Sequence, residues 1–353
     1  MSPSIPARVP PRRLRRNLAL GGATALCGVA FTAGAGVGAL SIPPDTLLSI
    51  LGDTVGIELG SHTAVQSSVL LAIRLPRVVL GLAVGAALAV SGTLVQGVFR
   101  NPLASPGLIG VSSGAALAAA TVLVLGAPTA LDWTGALALP LSAFAGGLIV
   151  TGLVMQLARR DGSTDVTTLL LAGIAINALA GAATGLLIFV ADDASLRSLT
   201  FWTLGSLSGA TWPGVVVMAT LAGAGTVIAR LLAPALDLLL LGEGEALHLG
   251  VHVERTKRLA VGVSALLVGT AVALSGVVGF VGLVVPHIGR MLVGPGHRAL
   301  VPLSALLGAG LLTLADLASR TLVTPAELPL GVLTTLLGAP MFITLLVRAR
   351  TRP

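Results

Sequence analysis

The chain has little with which to meet water or to carry out covalent chemistry. Of its 353 residues 10% are charged, against roughly a quarter in soluble domains. So sparse a set of charges cannot cover a water-facing surface, which excludes a soluble globular protein. Cysteine occurs once, as Cys27, so neither a disulfide framework nor a thiolate metal site can form. Lysine also occurs once, as Lys257 in ERTKRLA. A G-x-x-x-x-G-K-[ST] phosphate loop is therefore impossible, and ATP hydrolysis by that route is excluded. No H-E-x-x-H pair is present, and no catalytic residue, metal or other cofactor is expected on this chain. Tyrosine is absent, which leaves a thin aromatic belt of Trp133, Trp202 and Trp212 near predicted span ends.

What the chain does have is apolar: 55% of residues are hydrophobic. Charges fall between uncharged runs at Leu18–Pro44, Val78–Phe99, Thr134–Ala158, Val166–Ala191 and Ser198–Ala229. A helix needs about 20 apolar residues to cross a bilayer, so the chain reads as an all-α integral membrane protein embedded in lipid. Ten helices are predicted, at 18–40, 78–99, 107–126, 134–158, 166–190, 212–230, 259–275, 279–294, 300–319 and 330–347. They form one domain, 18–347, between a basic tail (1–17) and a basic C-terminus (348–353). The tail, PARVPPRRLRRNLALGG, resembles the start of a signal peptide. Its apolar continuation outruns the roughly 7–15 residues of such a segment, so a retained first helix is expected.

The stretch Leu259–Gly289 carries no formal charge and could hold one long helix or two short ones broken at SGVVGFVG (275–282). The positive-inside rule decides. With the break, 17 basic residues share one side with both termini and four lie opposite: Arg74, Arg77, Arg197 and Arg320. Without it the division is 13 to eight. Two helices and cytoplasmic termini follow. The net charge of +7 thus marks span edges, and a nucleic-acid partner is not expected.

Within the spans, His287 and Asp316 are the only ionisable candidates for ion coupling. Arg320, four residues on, is the expected partner of Asp316. His287 follows Pro286 and is expected to bond a backbone carbonyl that the proline frees. Glycines spaced by four (Gly34/Gly38, Gly81/Gly85, Gly110/Gly114, Gly181/Gly185, Gly205/Gly209) read as helix-packing ridges. The longest charged loop, LLLLGEGEALHLGVHVERTKR (238–258), contains a short amphipathic helix. Glu243, Glu245 and His248 would form its polar side, and Ala246, Leu247 and Leu249 its apolar face. That helix could lie on lipid or dock a cytoplasmic partner.

Five blocks in order carry a resemblance: RLPRVVLGLAVGAALAVSGTLVQGVFRNPLASPGLIGVSSGAALAA (74–119), FWTLGSLSGATW (201–212), LGEGEALHLGV (241–251), GFVGLVVPHIGRMLVGPGHRALVPLSALLGA (279–309) and LADLASRTLVTPAELPLGVLTTLLGAPMFITLL (314–346). From about residue 65 to 347 the chain resembles permeases of the bacterial ABC importers for ferric siderophores, haem and cobalamin. The resemblance implies a type II ABC importer permease in the cytoplasmic membrane, with no enzyme activity of its own. It implies as partners a second permease subunit (a copy or a sister), two ATPase subunits that use ATP and Mg, and an extracytoplasmic binding protein. A ferric siderophore is the expected cargo, with haem and cobalamin as alternatives. The segment Gly242, Glu243, Glu245, Ala246, Leu247, Leu249, Gly250 matches the family's ATPase-coupling helix. Arg74, Arg77 and Arg320 match positions that pair with the binding protein. Reversing the charge of Arg74 and Arg77 is expected to weaken that docking and spare the fold. Two departures stand out. Gly244 costs about 1 kcal/mol relative to Ala in a helix, so the coupling helix is expected to order only against the ATPase. Ser105 in NPLASPG stands where aspartate is frequent.

Small, weakly polar side chains would line the path: Ser91, Thr93, Gln96, Ser112, Ser113, Asn177 and Thr184 are the candidates, each equally able to serve helix packing. An ion-coupled secondary transporter would need a buried mid-membrane carboxylate, and Asp316 lies near a span end. Half of an exporter would have no use for an outer basic surface.

Overall fold

A computed structural model describes residues 12–126, 135–160 and 162–350. Residues 1–11 of the basic tail, Trp133, the first residue of the predicted 134–158 helix and residues 351–353 lie outside the described residues. The described chain is helical but for a minimal antiparallel hairpin, β1 (Arg159–Arg160) with β2 (Ser163–Thr164). In order the helices are α1 (Arg12–Gly36), α2 (Pro44–Thr54), α3 (Ala64–Val98), α4 (Val111–Leu125), α5 (Ala138–Leu157), α6 (Val166–Val190) and α7 (Asp193–Leu204). They continue with α8 (Trp212–Leu239), α9 (Glu243–His248), α10 (Val253–Ser275), α11 (Val281–Val293), α12 (His297–Thr321) and α13 (Leu330–Arg350). Seven of these are long and apolar enough to span a bilayer: α1, α3, α5, α6, α8, α10 and α12. Three shorter apolar helices, α4, α11 and the Leu330–Thr344 part of α13, complete a ten-helix membrane architecture.

The bundle is built around α3. A helix that is apolar on every face belongs inside, and 83% of the most apolar stretch of α3 is buried, against 11% for α6. Helices α8, α10, α11 and α12 surround α3, α1 packs on α12, and α4, α5 and α6 pack together alongside. Backbones touch where glycines meet. A Cβ on Gly85 would stand 2.2 Å from the carbonyl oxygen of Gly308 on α12. One on Gly92 would stand 1.8 Å from that of Gly282 on α11. Neither crossing tolerates a side chain. Gly181 and Gly185 of α6, by contrast, meet nothing within 4 Å.

Several boundaries depart from the sequence reading. The helix predicted at 78 begins at Ala64, where Thr63 and Gln66 form a reciprocal capping box that satisfies free N–H groups of the first turn. Arg74 and Arg77 lie a few turns inside that helix, Arg74 ending a π-helical stretch at Val69–Arg74. The helix predicted at 18 begins at Arg12, so residues 12–17 of the basic tail are helical. The helix predicted to end at 230 runs to Leu239 through Pro234, and the one predicted from 259 starts at Val253. NPLASPG ends in a 3-10 turn (Pro106–Ile109), and left-handed Gly110 (φ 83°) starts α4 at Val111. The break at 275–282 is present: α10 stops at Ser275, Gly276 has φ 67°, and Phe280 (φ 65°) opens α11. Helices α2 and α7 were not anticipated. They are short, and their caps, Asp192 to the Ser195 N–H among them, lie in segments read as loops.

Candidate functional site

At one end of the bundle three arginines meet. Helix α1 stops at Gly36, leaving carbonyls without helical partners, as every helix C-terminus does. Arg74 of α3 fills this gap, its Nη1 donating to the Ala35 and Gly36 oxygens at 2.9 Å each and its Nη2 to Leu40 O. Arg320 of α12 donates to Val37 O at 3.1 Å and to Gly34 O. Two cations thus cap one helix C-terminus, where the macrodipole favours them. Arg77 does different work. Its Nε and Nη2 bind the Asp316 carboxylate at 2.9–3.1 Å, and Nη1 and Nη2 bind Glu327 at 2.9 Å each. The predicted Asp316 partner, Arg320, stands further off, with Nε 3.8 Å from Oδ2. The i+4 ion pair is present, but the closer partner of Asp316 comes from α3. All three arginines are buried or nearly so, Arg74 at 6% and Arg77 at 9% exposure. Reversing Arg77 would set three carboxylates together, which argues against the expectation that such a change spares the fold. Glu327, on the loop before α13, has its carboxyl held below the ordinary range, chiefly by the Arg77 hydrogen bond.

At the opposite end, Gly242 (φ 119°) and Gly250 (φ 83°) bound α9. Ala246 points inward and is fully buried, while Leu247 and Leu249 are 64% and 58% exposed. The single apolar face predicted from Ala246, Leu247 and Leu249 is therefore split, one residue anchoring the helix and two presented outward. Glu245 and His248 are exposed, and Gly242 is half-buried. Glu243 turns inward, to Lys257 Nζ at 2.6 Å. The helix is formed in this chain alone, despite Gly244, because that ion pair and the Val251 N–H to Ala246 O bond (2.9 Å) pin it.

The predicted path residues are mostly committed to packing. Ser91 and Ser264 hydroxyls share a 2.5 Å bond, Thr93 donates to Ala89 O, and Thr184 donates to Ala180 O. Gln96 donates to Gly282 O and Leu283 O at 3.4 Å and accepts from Arg290. Ser113 donates to Asn177 Oδ1, and Asn177 Nδ2 donates to Gly107 O at 3.0 Å, which holds the turn before α4. Ser112 alone of the seven lines the cavity of about 220 Å³ beside Ser105, Pro106, Gly279 and Leu283. His287 makes no hydrogen bond among the described residues, so the carbonyl expected for it is not its partner.

The geometry describes a lipid-embedded bundle with an ion-paired end and an end that presents a short apolar-edged helix. Comparison with known proteins decides what kind of bundle it is: the FecCD transport family matches residues 26–348. The chain is a FecCD-family permease of the type II ABC importers. It is 45% identical over 339 residues to the hemin transport system permease protein HmuU of Yersinia pestis, covering 96% of this chain and 98% of that one. It is 43% identical over 274 residues to the cobalamin import system permease protein BtuC of Halobacterium salinarum (78% and 72% covered). A solved inward-facing structure described as of the metal-chelate ABC transporter type superposes with TM-score 0.82 at 33% identity, over 94% of this chain and 99% of that chain. PsaBC from Streptococcus pneumoniae, at 16% identity and TM-score 0.52, shares the fold over 76% of this chain and 89% of its own.

Sequence reasoning missed three groups of this FecCD-family permease. Glu327 completes the Arg77 cluster from 250 residues away. Glu254 and Lys257 grip the β1–β2 hairpin at Thr164. Asp237, in the last turn of α8, accepts from the His297 N–H and pairs with its Nδ1, both at 2.7 Å, capping α12. An acidic residue in the otherwise apolar PALDLLL was the one available signal for the last.

Proposed function

We propose that this permease imports a metal tetrapyrrole, haem first, delivered by an extracytoplasmic binding protein and driven by two separate ATPase subunits. The observation that carries this reading is the identity to a haemin permease over nearly the full length of both chains. Cobalamin is the second reading, supported by the BtuC relative. The ferric siderophore expected from the sequence gives way to a tetrapyrrole because these relatives carry haemin or cobalamin in their names.

The path is placed between two permease subunits. Two cavities among the helices around α3 and α11 hold about 220 and 180 Å³, below the roughly 300–1,000 Å³ of ordinary ligand pockets, while larger hollows of about 500 and 460 Å³ lie at the α9 end beside His252. Helix α6, with little of its surface buried and with Gly181 and Gly185 bare, offers a small-residue face for close helix contact in lipid. The second subunit is proposed to pack there. With both termini cytoplasmic, α9 faces the ATPase and offers Leu247 and Leu249 to it. The arginine end faces outward. There Arg74, Arg77 and Arg320 exceed Asp316 and Glu327 by one positive charge, and we assign them to shaping and charging the docking surface for the binding protein from within. No free guanidinium is needed for this role. ATP-driven closure of the ATPases then moves α9, and the subunits rock to pass cargo inward. The test is uptake by the reconstituted complex of haem, cobalamin and a ferric siderophore, each with its binding protein. Saturable haem uptake supports the reading, and uptake of the siderophore alone would overturn it.

A further inference from the structure

The only lysine of this chain is buried to 2% exposure at the end of the bundle where α9 lies. An ammonium has three donors and no acceptor. Here it spends them on two separate elements: Glu243 Oε2 of α9 at 2.6 Å and the Thr164 carbonyl of β2 at 2.8 Å. One turn earlier on α10, Glu254 holds the same hairpin residue, accepting from the Thr164 N–H and hydroxyl at 2.8 Å each. Arg258 steadies Glu254 from 3.1 Å. Thr164 stands two residues before α6, whose first turn is capped by Asp165 on the Thr168 N–H. Charged hydrogen bonds therefore run from α9 through Lys257 to Thr164, and the backbone continues from there through Asp165 into the foot of the least buried of the long membrane helices.

We propose that Lys257 and Glu254 form the junction that passes displacement of α9 to α6. The proposal rests on the reading of α9 as the ATPase-coupling helix. Charge-assisted bonds are short and directional, and a buried ammonium that lost Glu243 would be left uncompensated. The three elements thus move together. Lys257 is a positioning residue in this scheme: it touches neither cargo nor ATPase and acts through Thr164.

Two single-site spin labels test this in the reconstituted complex of permease, ATPase and binding protein, in a Cys27→Ser background. His248→Cys reports α9, and Arg159→Cys reports the hairpin. ATP with vanadate is expected to change the spectra of both labels. In Lys257→Met the His248 response should persist, while the Arg159 response and the cargo moved per ATP fall at least about five-fold, the low end of coupling between sites. Lys257→Arg, which keeps the charge and the donors, should restore both, an outcome that a packing defect would not give. Glu254→Gln, closer to isosteric, should lower the Arg159 response in the same direction and decides the matter if Lys257→Met does not assemble. An Arg159 response unchanged in Lys257→Met or Glu254→Gln overturns the junction and leaves the coupling reading standing. A His248 label silent in the otherwise unsubstituted chain overturns the coupling reading and the junction with it.

Discussion

Replacing Asp316 with alanine should be among the most damaging single changes at the arginine end. Asp316 is 2% exposed and receives three hydrogen bonds from Arg77 at 2.9–3.1 Å. Arg320 Nε, buried and without a hydrogen-bond partner, has its nearest counter-charge there at 3.8 Å. Removing one member of a buried pair costs about 3–5 kcal/mol because the other charge is left uncompensated. That is roughly two to four orders of magnitude in the unfolding equilibrium. Glu327 still holds Arg77, but its side chain is 42% exposed, and exposed pairs contribute about 0–1 kcal/mol. Glu327→Gln should therefore cost at most about 1 kcal/mol. The double variant Arg77→Met with Asp316→Leu should recover part of the loss, since apolar residues of similar volume often replace a buried pair without penalty, while Arg320 stays without its counter-charge. The assay is equilibrium unfolding of the purified permease in mixed micelles. An Asp316→Ala loss below about 1 kcal/mol, or a double variant no better than the single, would refute the reasoning.

The Glu327 carboxyl sits lower when folded than when unfolded, so its stabilisation is fully present above the ordinary glutamate value of about 4.3 and is lost as pH falls through its depressed folded value. The stability difference between the parent and Glu327→Gln should hold near neutrality and shrink below about pH 4, read from unfolding curves across that range. Gly92→Ala should destabilise the monomer by at least about 1–3 kcal/mol through overpacking, since its Cβ would enter the Gly282 carbonyl. Gly181→Ala, with open space around it, should leave the monomer unchanged, and unfolding of the two variants side by side checks both. Leu247→Asp should preserve the fold, because Leu247 is 64% exposed, yet weaken co-purification of the ATPase at least ten-fold, about 1.4 kcal/mol.

The membrane architecture was legible because bilayer thickness imposes a length on apolar segments. The break at Gly276 was legible through the charge balance of the loops rather than through hydropathy. Arg74 and Arg77 were read as the mouth of a helix because lipid would exclude them. The structure admits Arg77 by supplying Asp316 and Glu327 from 239 and 250 residues away, and Arg74 by supplying the carbonyls of Ala35, Gly36 and Leu40, partners that no local pattern reveals. The same holds for Lys257 and Thr164, 93 residues apart. On α9 the difficulty is one of length: six residues are under two helical turns, too few for periodicity to separate Ala246 from Leu247. The polar residues chosen for the path are weakly polar inside helices, and that property suits a packing hydrogen bond as well as a lining.

Uptake by proteoliposomes holding this permease, its ATPase and its binding protein tests the central claim most directly. Haem accumulation should require ATP and the binding protein together and should persist when proton and sodium gradients are collapsed. Accumulation driven by an ion gradient without ATP would contradict it.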